Sequence, residues 1–111
     1  AHLKNFGMVY DHPLAARKLA PVYDVVCTDI YPELDGKLAL KLNKSKTFPI
    51  RANLLAYGVR LGLSHSEAEK ILQRLDDAFD QVCDLLKDDQ RYRDDALLTR
   101  IKNAVYAADK G

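Results

Sequence analysis

Asn5 and Asp24 carry the oxygen atoms that a small hard cation prefers, and the segments around them have the pattern of paired β elements. Phe6, Met8 and Tyr10 alternate with Gly7, Val9 and Asp11, the period-two signature of a strand. Asp11-His12-Pro13 then breaks the run with turn-forming residues. Residues 17–22 follow, where Pro21 pushes Ala20 towards an extended backbone. If the two runs pair as a hairpin, Asn5 at the start of one approaches Asp24 just past the end of the other. An amide and a carboxylate converging there make an oxygen-rich site suited to Mg²⁺ on a nucleotide phosphate. His2 and Lys4 flank Asn5. Lys4 can balance phosphate charge as a point cation, or its stem can simply cover the hairpin. His2 can brace the turn or cap it. Asn and Asp also favour turns and caps in general, so the pair alone is equally a turn feature.

The elements that must position these residues change character along the chain. Residues 25–36 mix apolar residues with Thr28, Asp29 and Pro32, which reads as a short helical turn, a loop and a tight turn at Asp35-Gly36. Leu38, Leu40 and Leu42 alternate with Ala39 and Lys41 in a one-sided strand, Asn43-Lys44-Ser45 turns it, and Lys46-Thr47-Phe48 returns. Lys37, Lys41, Lys44 and Lys46 form a solvated edge, or an electrostatic lip for an acidic substrate. From Pro49 the period becomes helical. Ala52, Leu55 and Val59 form a stripe that Gly62 terminates. Ser64 and Glu67 have capping-box spacing, and the long helix that follows has an inner face of Ala68, Ile71, Leu72, Leu75, Ala78, Phe79, Val82, Cys83 and Leu86. Asp94 and Asp95 favour the start of a last helix, with Leu97, Leu98, Ile101, Ala104, Val105 and Ala108 facing inward.

The expected fold class is therefore α+β and mainly helical: one or two hairpins packed on a three-helix bundle. It is read as one domain over residues 1–111, with a β-rich segment 1–48 that bears the site and a helical segment 49–111. Hydrophobic residues at 48% and charged residues at 30% are those of an ordinary globular chain. The net charge of +1 gives no global pull towards nucleic acid or anionic membrane. Residues 1–64 hold nine Lys/Arg against five Asp/Glu, and the remainder eight against eleven, so the cationic half surrounds the candidate phosphate site. Cys27 and Cys83 have no metal-type spacing and read as reduced thiols. His2, His12 and His65 share no helix face, which argues against zinc. No apolar run approaches the ~18 residues of a membrane span.

His2-Leu3-Lys4-Asn5, followed by Leu19-Ala20-Pro21-Val22-Tyr23-Asp24-Val25, resembles the catalytic half of HipA-type serine/threonine kinases, the toxins of bacterial toxin–antitoxin pairs. The resemblance extends over about the first 65 residues and more loosely beyond. It implies the C-terminal part of a protein-kinase-like fold, with ATP and Mg as cofactors. On that template Asn5 is the metal-holding Asn of the catalytic loop, and Asp24 is the later metal-binding Asp. His2 and Lys4 become catalytic-loop neighbours, with Lys4 also near the nucleotide. The template puts the catalytic Asp immediately before Ala1, so the chain is expected to be a C-terminal lobe fragment, inactive by itself. Implied partners are a protein substrate and a DNA-binding, HipB-like antitoxin, in the cytoplasm. The alternatives are a non-catalytic helical interaction module or a helix-turn-helix DNA-binding domain. Against the latter, the second helix carries Glu67, Glu69, Asp76, Asp77, Asp80 and Asp84 beside only Lys70 and Arg74, a face that repels phosphates.

Overall fold

Gly7 and Ala20 close the base of the first hairpin, where the Ala20 N–H donates to the Gly7 carbonyl at 2.8 Å. Beyond them β1 (Met8–Val9) pairs antiparallel with β2 (Lys18–Leu19), in the register Met8↔Leu19 and Val9↔Lys18. The ladder is shorter than the alternation of residues 6–10 suggested. Both strands are exposed and each has a single neighbour, so little burial holds the ends together. This is a computed structural model that describes residues 2–109, and it divides between Phe48 and Pro49 into two compact units.

The rest of the first unit follows its turn chemistry. Thr28–Ile30 forms a single 3-10 turn that buries Ile30, and Gly36 takes the positive φ of 63° that the tight turn needs. β3 (Lys37–Leu42) and β4 (Ser45–Thr47) make a second antiparallel hairpin. Leu38, Leu40 and Leu42 lie on its half-buried face and Lys37, Ala39 and Lys41 on its exposed one. Its two-residue turn is Asn43-Lys44, with φ of 50° and 70°, as a type I′ connection requires. Ser45 thus belongs to β4 rather than to the turn.

In the second unit α1 (Arg51–Arg60) ends in a complete Schellman motif. Gly62, at φ 101°, donates to the Val59 carbonyl at 3.0 Å, and the Leu63 N–H reaches back to Gly58 at 3.1 Å. α2 (His65–Lys87) starts at the capping box expected from sequence. The Ser64 hydroxyl accepts from the Glu67 N–H at 3.2 Å, and the Glu67 carboxylate accepts from the Ser64 N–H at 2.8 Å. Ser64→Ala is expected to lower the unfolding free energy by about 1 kcal/mol in a urea titration. The bond from the Ser64 backbone, and then its hydroxyl, hold the Glu67 carboxyl below its ordinary 4.5. That contribution is present above the unfolded value and is lost as the pH falls through the folded one. The Asp84 carboxyl beside Lys87 and the Asp89 carboxyl beside Arg91 are held below their ordinary values in the same way.

α1 crosses α2 closely. A Cβ on Gly58 would stand 3.0 Å from that of Ala68, which is only 4% exposed. Arg51 at the start of α1 donates to Asp76 at 2.6 Å and Glu69 at 3.2 Å on α2. α3 (Ala96–Asp109) begins at Asp95, whose carboxylate accepts from the Leu98 N–H at 2.9 Å. It meets α2 where Tyr106 stands edge-on to Phe79, ring centroids 6.1 Å apart, and its hydroxyl donates to Asp80 at 3.3 Å.

One expectation about α2 is corrected. The inner line runs through buried Ala68 and Cys83 and half-buried Leu72, Phe79 and Leu86, whereas Ile71, Leu75, Ala78 and Val82 are exposed. Leu75 is 61% exposed and does not anchor the core, because the apolar arc of α2 is wider than α1 and α3 cover. Over the described residues the architecture is α+β and mainly helical, with two small hairpins and three α-helices. Among the described residues, no helix is long and apolar enough to cross a membrane.

Candidate functional site

The turn ahead of β1 is built by its own side chains. Leu3–Asn5 is a 3-10 turn in which His2 Nδ1 accepts from the Lys4 N–H at 3.2 Å. The Asn5 carbonyl oxygen accepts from the His2 N–H at 2.8 Å. This reciprocal box orients the Asn5 amide: its oxygen faces the turn backbone and its NH₂ faces outward. His2 therefore acts here as a cap and brace of the turn.

β2 leads directly into Pro21 and on to Asp24, and the hairpin brings that segment back beside the turn. Asn5 Nδ2 donates to Asp24 Oδ2 at 2.7 Å across nineteen positions of sequence. Asp24 sits at φ +54°, in the left-handed region where Asp and Asn are the tolerated non-glycine residues. Next to it, the Tyr23 hydroxyl donates to the Lys4 carbonyl at 2.5 Å. The sequence reading gave Tyr23 no part in the site. The available signal was its position between two anchored residues, Pro21 and Asp24.

These residues border a cavity of about 240 Å³ inside the first unit. Phe6, Leu19, Pro21, Val22, Val25 and Val26 supply apolar walls, and Asn5, Tyr23 and Asp24 are polar members of the lining. It is smaller than the ~300–1,000 Å³ of a site that encloses a whole drug-sized ligand. Lys4 is exposed and does not line this cavity. Its ammonium has no ion-pair partner among the described residues.

The Asp24 carboxylate suits an ion that keeps water or phosphate as most of its ligands, as Mg²⁺ does; the Asn5 amide turns its NH₂ to that carboxylate and its oxygen to the His2 N–H, so the amide oxygen could join only after the amide turns. Among the described residues, no group of three or more His, Cys, Asp or Glu could hold a metal alone. Both cysteines are free thiols, Cys83 buried and Cys27 half-buried.

The sequence model of the HipA-like C-terminal domain family matches residues 1–83, a stretch that contains the turn, both hairpins, α1 and most of α2. The chain belongs to the HipA-like C-terminal domain family. It is also 43% identical over 47 residues to a Sinorhizobium fredii protein named "Putative kinase Y4mE". That stretch is 42% of this chain and 11% of the relative. No solved structure matches the chain. In this HipA-like domain the matched residues include every member of the Asn5–Asp24 constellation.

Proposed function

We propose that this HipA-like domain supplies the cation-holding part of the active site of an ATP-dependent serine/threonine protein kinase. The observation that carries the reading is the 2.7 Å contact of Asn5 with a left-handed Asp24 beside a cavity of about 240 Å³. Family membership and the kinase named among its relatives support it. Asp24 brings a full negative charge to a hard dication, while Asn5 orients that carboxylate through its NH₂ and offers a neutral carbonyl dipole once the amide turns. When bound, Mg²⁺ neutralises charge on the transferring phosphoryl group. Lys4 reaches towards the same phosphates as a point cation, and His2 keeps the turn in shape. A protein substrate, a DNA-binding HipB-like antitoxin and a cytoplasmic toxin–antitoxin setting complete the reading.

The test uses the gene product carrying this sequence. Incubated with radiolabelled ATP and Mg²⁺, it should label serine or threonine in a protein substrate, and chelation by EDTA should stop the reaction. Nucleotide binding that is indifferent to divalent cations, with no labelling of any protein, would overturn the proposal.

A further inference from the structure

The bond between Asn5 and Asp24 is the tie most exposed to change when the site is used. Its donor, Asn5 Nδ2, points at one of the two oxygens of the carboxylate that a cation would take. A cation on that carboxylate competes with the N–H dipole for its negative charge, so the bond weakens and the amide is freed to turn. Something else must then keep the turn of residues 3–5 beside the segment that carries Asp24. The β1–β2 ladder does not reach that far: its last backbone bond on this side joins Ala20 to Gly7.

The Tyr23 hydroxyl does reach. It donates to the Lys4 carbonyl at 2.5 Å, so the chain neighbour of Asp24 holds the chain neighbour of Asn5. The two bonds span the same nineteen-residue separation side by side. Only one of them uses the carboxylate. A neutral hydroxyl on a backbone carbonyl does not compete with an ion for the Asp24 carboxylate. Asp24 also occupies the left-handed region at φ +54°, a conformation that persists where the surrounding structure fixes the backbone. Tyr23 is the residue immediately before it, and its own side chain is anchored.

We infer that Tyr23 is a positioning residue for the cation site: its hydroxyl clasps the Lys4 carbonyl and keeps Asp24 in register with Asn5 once a cation and phosphate displace the Asn5 amide. This depends on the reading of Asn5 and Asp24 as the cation site, and the experiment separates the two. Residues 1–111 are titrated with Mn²⁺ in the presence of ATP, and free Mn²⁺ is followed by electron paramagnetic resonance. Wild type is compared with Tyr23→Phe and Asp24→Asn, each with a metal-free thermal melt. Tyr23→Phe should weaken Mn²⁺ binding about 10-fold, the lower end of what losing an outer-sphere partner costs. Its metal-free melt should stay near wild type, because the Asn5–Asp24 bond still ties the segments.

If wild type binds Mn²⁺ no better than Asp24→Asn, the cation reading fails and takes this inference with it. If wild type binds and Tyr23→Phe binds equally well, the inference alone is wrong. A variant whose melt falls and whose affinity is unchanged once the folded fraction is counted is equally against it, since Tyr23 then serves only stability. Should Tyr23→Phe not fold, fluorotyrosine incorporated at position 23 strengthens the hydroxyl donor and should tighten Mn²⁺ binding. Unchanged affinity there overturns the assignment.

Discussion

Asp24→Asn is expected to remove cation-dependent nucleotide binding while leaving the fold in place. The substitution is a clean one on this backbone. Asn tolerates the left-handed region as Asp does, so φ +54° imposes no new strain, whereas Ala at this position would. An Asn at position 24 also keeps an amide oxygen that can accept from Asn5 Nδ2, preserving the 2.7 Å contact in kind. What disappears is the negative charge. Losing an outer-sphere partner of a metal site costs about 10–100-fold in affinity or activity, so losing the charged ligand should exceed ~100-fold. Added Mg²⁺ should restore little, because the missing term is the attraction itself. Asn5→Ala should be milder and partly rescued by metal, since it removes an orienting group and a neutral dipole. Mn²⁺ titration of this chain and phosphoryl transfer by the gene product measure the effect at two levels. Near-normal cation affinity in a folded Asp24→Asn variant would show that the pair is only a turn fastening.

Gly58→Leu is expected to be the most damaging single change to the helical unit. Glycine inside a helix is ordinarily a weakness, and alanine there would be favoured by about 1 kcal/mol on propensity alone. Here the crossing of α1 on α2 reverses that preference. The added Cβ would lie 3.0 Å from the Ala68 Cβ, an atom fixed directly to the α2 backbone, and 3.6 Å from Leu63 Cδ1. Ala68 cannot swing aside, so the helices must part. Forcing extra methylenes into such a contact costs typically 1–3 kcal/mol, and a leucine belongs at or above the upper end. Gly58→Ala should come close to balance, with propensity and crowding opposed. A urea midpoint for Gly58→Leu at or above wild type, with an unchanged m-value, would show that the crossing is looser than its geometry. Leu75→Ala is the useful contrast: at 61% exposure it should cost far less than the ~2–5 kcal/mol of a buried leucine.

How much of this was legible beforehand depends on how local the signal is. The second hairpin followed from alternating leucines, but its turn was misplaced by a residue. Asn-Lys is an uncommon pair for two positive φ values, and Ser45 looked equally turn-like. The Schellman end at Gly62 and the Ser64–Glu67 box were readable because both are closed within a few residues of chain. The inner face of α2 was not. Periodicity marks every apolar position and cannot say which of them a neighbour covers, so Leu75 and Val82 looked equivalent to Phe79 and Cys83.

The sequence by itself determined the elements, the caps and the candidacy of Asn5 and Asp24, because propensity, periodicity and motif spacing are properties of adjacent residues. Only the tertiary structure decided the direction of the Asn5 amide, the left-handed Asp24, the Tyr23 clasp on Lys4 and the glycine-dependent crossing at Gly58. The reason is physical. A hydrogen bond across nineteen residues, or a contact of 3.0 Å between two helices, depends on where separate segments stop in space. No local preference encodes that distance; it is set jointly by the hairpin, the turn and the packing that hold the segments in place.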